Sequence, residues 1–313
     1  MKRRNDIKKV ETIVLIAVFV VISGVLVAVM VSIARQFRHR VQREHESRPI
    51  IVTTAPETSS VTEETVSVPE ETDPSKNLEP LNDELRDKIA VFDGTWSVYV
   101  KHLGTGKELV INDREMYAAS LIKLYCIGAI QQAVEGGNLT QEEVREDEKN
   151  MIMYSDNYAF DALVELLPNG YISEWCVKHD YWETQQTHEL SNDWAYQVRR
   201  TGLEDNMTSV QDTGHFLETV YNGTCVSEES SAWILKLLKK QKTLTKIPKG
   251  LPKGVVCANK TGETDDYCHD AAIVYSDGGD YILVVMVESL GSAYNCDSDI
   301  AELSKTVYKY FNP

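Results

Sequence analysis

Metal-ligand patterns are missing from this 313-residue sequence. None of its six cysteines forms a C-x-x-C pair, and no H-E-x-x-H string occurs. No metal site is therefore expected, and no other cofactor is called for. Positive charge is scarce past the N-terminal segment: residues 49–313 hold 22 Lys/Arg against 44 Asp/Glu. So acidic a region argues against nucleic acid as a partner and leaves small molecules or cationic surfaces. No internal repeat occurs.

Charge of either sign is absent from residues 12–34, TIVLIAVFVVISGVLVAVMVSIA. A run of this length can cross a bilayer as a helix. It is too long for a signal peptide, no small-residue cleavage site precedes its basic flank, and it has no polar face for a buried core helix. Lys2, Arg3, Arg4, Lys8 and Lys9 precede the span, and Arg35, Arg38, Arg40 and Arg43 follow it. That charge bias is small, and functional grounds given below place the N-terminus inside. Aromatic residues are absent from 49–76, which hold four prolines, ten Ser/Thr, six carboxylates and one lysine. Such a segment cannot bury a core and reads as an extended tether of up to roughly 80 Å. The expected order is a cytoplasmic tail at 1–11, a transmembrane helix at 12–34, a stalk at 35–77 and a globular domain at 78–313. The cysteines all follow the span. Six allow fifteen pairings, buried thiols are equally compatible, and no particular bridge is expected.

In the globular part, Leu81, Leu85 and Ile89 recur at helical spacing. TWSVYVKHL, GTGK and ELVIN read as a β-hairpin. The long middle section is mostly helical by pattern. GVVCANKTG, DAAIVY and YILVVMVES are strand-like, and DSDIAELSKTVYKYF is an amphipathic helix behind an Asp/Ser cap. Strands at both ends with helices between them predict an α/β fold of the α+β kind: an antiparallel sheet flanked by helices, with an all-helical subdomain and a groove between the two.

AASLIKLY places Ser120 and Lys123 one turn apart in an otherwise apolar run. S-x-x-K is a short pattern, and alone it is equally a cap and a snorkelling lysine. Two further motifs follow in order. Ser155-Asp156-Asn157 precedes an amphipathic run, and Lys260-Thr261-Gly262 ends a strand. In isolation the first is a helix-capping turn and the second a strand end entering a turn. The three together, over roughly residues 90–313, resemble the class A β-lactamases and related penicillin-recognising serine hydrolases. The resemblance includes YAASLIKLYCIGAIQQAVEGG, MIMYSDNYAFDALVELL, NMTSVQDTGHFLETVYNG and NKTG.

That resemblance implies a role for each motif residue. Ser120 is the nucleophile and Lys123 its base, neutralised by burial beside other cations. Ser155 relays a proton to the leaving nitrogen. Asn157 binds the substrate's side-chain amide, and Lys260 and Thr261 bind its carboxylate. Gly262 lets the strand approach the ligand, and the N–H groups of Ser120 and Glu263 form the oxyanion hole. His269 stands where some members carry a carboxylate-contacting arginine.

The chain departs from the family in two places. The family's E-x-x-L-N string, whose Glu activates the deacylating water, is absent. A gapless count places Asp193 there, with Glu189 nearby. Only 35 residues separate Ser120 from Ser155, so the helical subdomain is trimmed. An aspartate base sits roughly 1.5 Å further back, and about 1 Å of misplacement can cost roughly 10²-fold. Ready acylation and slow turnover are expected. Three readings remain open: a β-lactamase, a D-alanyl-D-alanine peptidase, and a β-lactam or cell-wall sensor that stays acylated. All three act outside the cytoplasmic membrane, which fixes the expected orientation. Protease added to intact cells should cut the stalk and release the domain. Cleavage only after lysis would place the domain inside.

Overall fold

The computed structural model describes residues 73–191, 205–288 and 296–313. The expected transmembrane segment at 12–34 and Asp193 lie outside these residues. Among the described residues, no helix is long and apolar enough to cross a membrane. Residues 73–77, assigned to the stalk from sequence, are built into the fold. Asp73 caps a short 3₁₀ turn at Pro74–Lys76, and Thr105 Oγ1 donates to Ser75 O at 2.9 Å.

The Leu81/Leu85/Ile89 spacing produces helix α1, Glu79–Ile89. The predicted hairpin is β1, Thr95–His102, and β2, Glu108–Ile111. Then follow β3, Met116–Tyr117, a 3₁₀ turn at Ala119–Leu121, and α2, Ile122–Glu135. Helices α3, Gln141–Met153, α4, Asn157–Glu165, and α5, Tyr171–Lys178, come next. Strand β4, Met207–Thr208, pairs with β3 and leads into α6, Val210–Tyr221, α7, Glu228–Leu238, and the short α8, Ile247–Gly250. The chain ends with β5, Val256–Glu263, β6, Tyr267–Tyr275, β7, Tyr281–Glu288, and α9, Asp297–Phe311.

The main sheet has the order β2-β1-β7-β6-β5 and is antiparallel throughout. Its two halves come from opposite ends of the chain, as the sequence pattern predicts. Both faces are covered. Leu283, Val285 and Val287 of β7 pack into one core with Leu81, Leu85, Ile300 and Val307 of α1 and α9. Ile282, Val284 and Met286 point into the other core, with Tyr99, Ile122, Ile130 and Phe216. Alternation is lost from YILVVMVE because neither face meets water. Helix α2 is buried on nearly every side, which matches its largely apolar sequence.

Two details differ from expectation. Helix α9 has Cys296 as its N-cap residue and no side-chain cap bond. Asp297 and Asp299 lie within its first turn, where they complement the helix dipole. Cys268 of β6 and Cys296 form a disulfide that no sequence spacing announced. Cys126, Cys176, Cys225 and Cys257 are free.

Gly214 in α6 shows how closely the helix layer meets the sheet. A Cβ there would lie 2.3 Å from Cε1 of the buried Tyr99. Gly214→Ala should lower stability by about 1–3 kcal/mol through overpacking, although alanine is the better helix former. Thermal or denaturant unfolding tests this. An unchanged midpoint would show that the ring moves aside freely.

Candidate active site

The three motifs meet where the 3₁₀ turn, the α3–α4 junction and the edge strand β5 converge. Ser120 sits in the turn that opens α2, half-buried, and Lys123 lies one turn further on, fully buried. Lys123 Nζ is 3.1 Å from Ser120 Oγ. It donates to Ser155 O and to Asn157 Oδ1, both at 2.7 Å. Ser155 Oγ lies further off, at 3.4 Å.

Those two short contacts are to acceptor-only oxygens, and they use two hydrogens of the amine. If Lys123 is neutral, its lone pair is left facing the Ser120 hydroxyl. Burial lowers the Lys123 pKa to about 7, against the opposing pull of Asp156 and Asp161. An amine that is neutral near pH 7 and 3.1 Å from a serine hydroxyl can accept its proton.

Ser155 lies at the junction of α3 and α4 with φ +59°, and Ala119, just before Ser120, has φ +46°. Left-handed backbone at non-glycine residues is strained and is held only where the surroundings over-determine it. At Ser155 the restraint is visible. Its carbonyl accepts from Lys123, Asp156 caps α4 through the N–H groups of Tyr158 and Ala159, and Lys260 Nζ donates to Ser155 Oγ at 2.9 Å. The helix-capping role of S-D-N and its place in the site are therefore compatible.

Lys260 is fully buried on β5 and also donates to Thr261 O at 2.7 Å. Burial first, and then the Lys123 charge, push its pKa well below the ordinary lysine value. Gly262 explains the absence of a side chain at the third position: a Cβ there would lie 3.2 Å from both Ser120 N and Ala118 O. β5 is the sheet edge, and Thr264 N donates inward to Tyr267 O. Strand alternation turns the Glu263 N–H the other way, outward beside Ser120.

His269 does not face a ligand. Its imidazole is fully buried, accepts from Val287 N at Nδ1, and lies 2.9 Å from Tyr117 O at Nε2. Those partners define a neutral ring, and burial lowers its pKa to about 4. It ties β3 to β6 and β7 and offers no charge to a carboxylate.

Two residues escaped sequence reading. Asp161, one turn after Asn157 on α4, accepts from Leu190 N at 2.7 Å and Ser191 N at 2.9 Å. Asn157 Nδ2 donates to Leu190 O at 3.1 Å. The loop residue fixed against the S-D-N asparagine is thus Leu190, an apolar residue directly after Glu189. A carboxylate on the buried face of an amphipathic helix was the one available signal for Asp161.

A family model described as the β-lactamase enzyme family matches residues 80–150 and 143–311. Among solved structures, PBP-A is 23% identical, covers 75% of this chain and 97% of its own, and gives a TM-score of 0.67. A β-lactamase from Chitinophaga pinensis is 20% identical over 74% of this chain and 99% of its own, also with a TM-score of 0.67. A mutant of PBP-A, solved as its acyl-enzyme complex with penicillin G, is 23% identical over 75% of this chain and 97% of its own, at a TM-score of 0.64. No curated protein matches the chain.

The Lys123 geometry sets a pH dependence. The base form exists above its pKa, so modification of Ser120 by a fluorophosphonate should accelerate as pH rises through about 7 and then level off. Rate measurements by mass spectrometry test this. A flat profile through that range would remove Lys123 as the base.

Proposed function

Since the chain belongs to the β-lactamase enzyme family, we propose that it is a membrane-anchored serine hydrolase of class A type, acylated at Ser120 by β-lactams outside the cytoplasmic membrane. The observation that carries this reading is the wedge of Lys123 between Ser120, Ser155 and Asn157. Lys123 takes the Ser120 proton as Oγ attacks the lactam carbonyl carbon. The oxyanion accepts from the Ser120 and Glu263 N–H groups. Ser155 Oγ, bracketed by Lys123 and Lys260, passes a proton to the departing nitrogen as the C–N bond breaks. Lys260 and Thr261 hold the substrate carboxylate, and Asn157 holds the acyl-side amide. The hydrogen-bond donors of Lys260 and Thr261 within an otherwise acidic domain suit an anionic substrate.

Acylation is expected to outrun hydrolysis. The loop position anchored to Asn157 is Leu190, and an apolar side chain activates no water. This favours a long-lived acyl-enzyme, the behaviour of a penicillin-binding peptidase or a sensor. The acyl-enzyme of the PBP-A mutant with penicillin G gives the same reading a parallel in fold. The charge-free run at 12–34 and the stalk supply the anchor, and the disulfide fits an oxidising compartment.

Fluorescent penicillin should label the protein covalently, and Ser120→Ala should abolish labelling. Lys123→Ala should slow it by about 10²- to 10⁴-fold, the usual worth of a general base. Leu190→Glu should shorten the adduct's lifetime. Asp193→Asn should lengthen it without changing its rate of formation if Asp193 is the base. Labelling that survives Ser120→Ala would end this reading.

A further inference from the structure

Of the three fully buried lysines among the described residues, the mechanism leaves one unused. Lys246 precedes α8, and its side chain is wholly inaccessible. It pairs with Glu263 at the end of β5 and lies 3.3 Å from Asp297 in the first turn of α9. Glu263 itself is about half exposed, with 54% of its side chain accessible. Its carboxylate is therefore drawn back over a cation it has no need to meet, and burying an ammonium for packing alone is unfavourable. The backbone around Lys246 is fixed as well. Ile247 N donates to Asp270 Oδ2 at 3.0 Å, and Ser304 Oγ donates to Ile247 O at 2.8 Å.

These contacts close a ring. Glu263 pairs across the sheet with Cys268, Cys268 is bonded to Cys296, and Cys296 precedes Asp297. Asp297 meets Lys246, and Lys246 meets Glu263 again. The ring includes Glu263, whose outward N–H must be held still. β5 has a neighbouring strand on one side only, because its other edge has to admit substrate, and such strand ends fray.

We propose that Lys246, Asp297 and the Cys268–Cys296 disulfide act together as positioning groups that hold the Glu263 end of β5 in register with Ser120. None of them touches substrate. They act through the direction of the Glu263 N–H, so the inference rests on the serine-acylation reading for its catalytic consequence. The positioning itself is independent of that reading.

The test uses the full chain and two variants, Lys246→Met and Cys268→Ala/Cys296→Ala. Two quantities are followed: amide hydrogen exchange along β5, β6 and β7, and the acylation of Ser120 by penicillin, resolved into a pre-covalent affinity and an acylation rate. Both variants should speed exchange at the Thr261–Thr264 end of β5 while β7 keeps its protection. Both should slow acylation about tenfold, part of the roughly 10²- to 10³-fold that losing an oxyanion donor costs, with affinity little changed. Exchange that rises equally in all three strands would reduce the ring to a general stabilising device and overturn the proposal. So would unchanged exchange at the β5 end. If the wild-type chain is not acylated, the serine reading fails, and the exchange measurement still decides whether the ring holds the strand.

Discussion

Everything at the site depends on one lysine being buried in the apolar first turns of a helix. Lys123 shares α2 with Leu124, Cys126, Ile127 and Ile130, all inaccessible to water. An ammonium there loses its hydration, and the recovered hydrogen bonds go to a carbonyl and an amide oxygen, neither of which carries a charge. The environment therefore favours the neutral amine. The same burial fixes its direction, since the two short acceptors leave one approach open, toward Ser120. A surface lysine at this spacing would stay charged and would have no reason to point at the hydroxyl.

The supporting structure keeps that arrangement from relaxing. Asp156 caps α4 and Lys260 grips Ser155, so the left-handed turn at Ser155 persists. Gly262 lets β5 come within contact of the Ser120 backbone, and His269, neutral and buried, ties the sheet to β3 just before the turn that carries Ser120. Three buried lysines, Lys123, Lys246 and Lys260, lie in a domain with 38 acidic and 21 basic residues. Burial favours the neutral form of Lys123 and Lys260, while Lys246 is paired with Glu263 and Asp297.

Much of this was legible in the sequence because it is local or patterned. The α1 spacing, the hairpin around GTGK, and the motif order from Ser120 to Gly262 each need only a few consecutive residues. What could not be read depends on contacts far apart in the chain. The Cys268–Cys296 bridge requires that the start of α9 lie beside β6. Counting without gaps gives Asp193 as the carboxylate of the loop, a position outside the described residues, and the side chains of Asn157 and Asp161 bond to the backbone of Leu190. Loop register is set by such bonds, and nothing in local propensity encodes them. Likewise, a histidine in a strand gives no sign of whether its ring faces a ligand or a carbonyl, and the His269 ring lies against the Tyr117 carbonyl.

The pairing of β1 with β7 bears on how the protein is made. Thr95 lies opposite Glu288, and β1 cannot complete the sheet until β7 has left the ribosome. Strand β5, which carries Lys260 and Gly262, reaches β1 only through β6 and β7. During synthesis the helical middle section can form locally, but Ser120 then has no strand beside it. A nascent or prematurely terminated chain would carry Ser120 and Lys123 without β5 beside them. The site would be complete only once β7 has emerged and paired, through slow, long-range strand pairing.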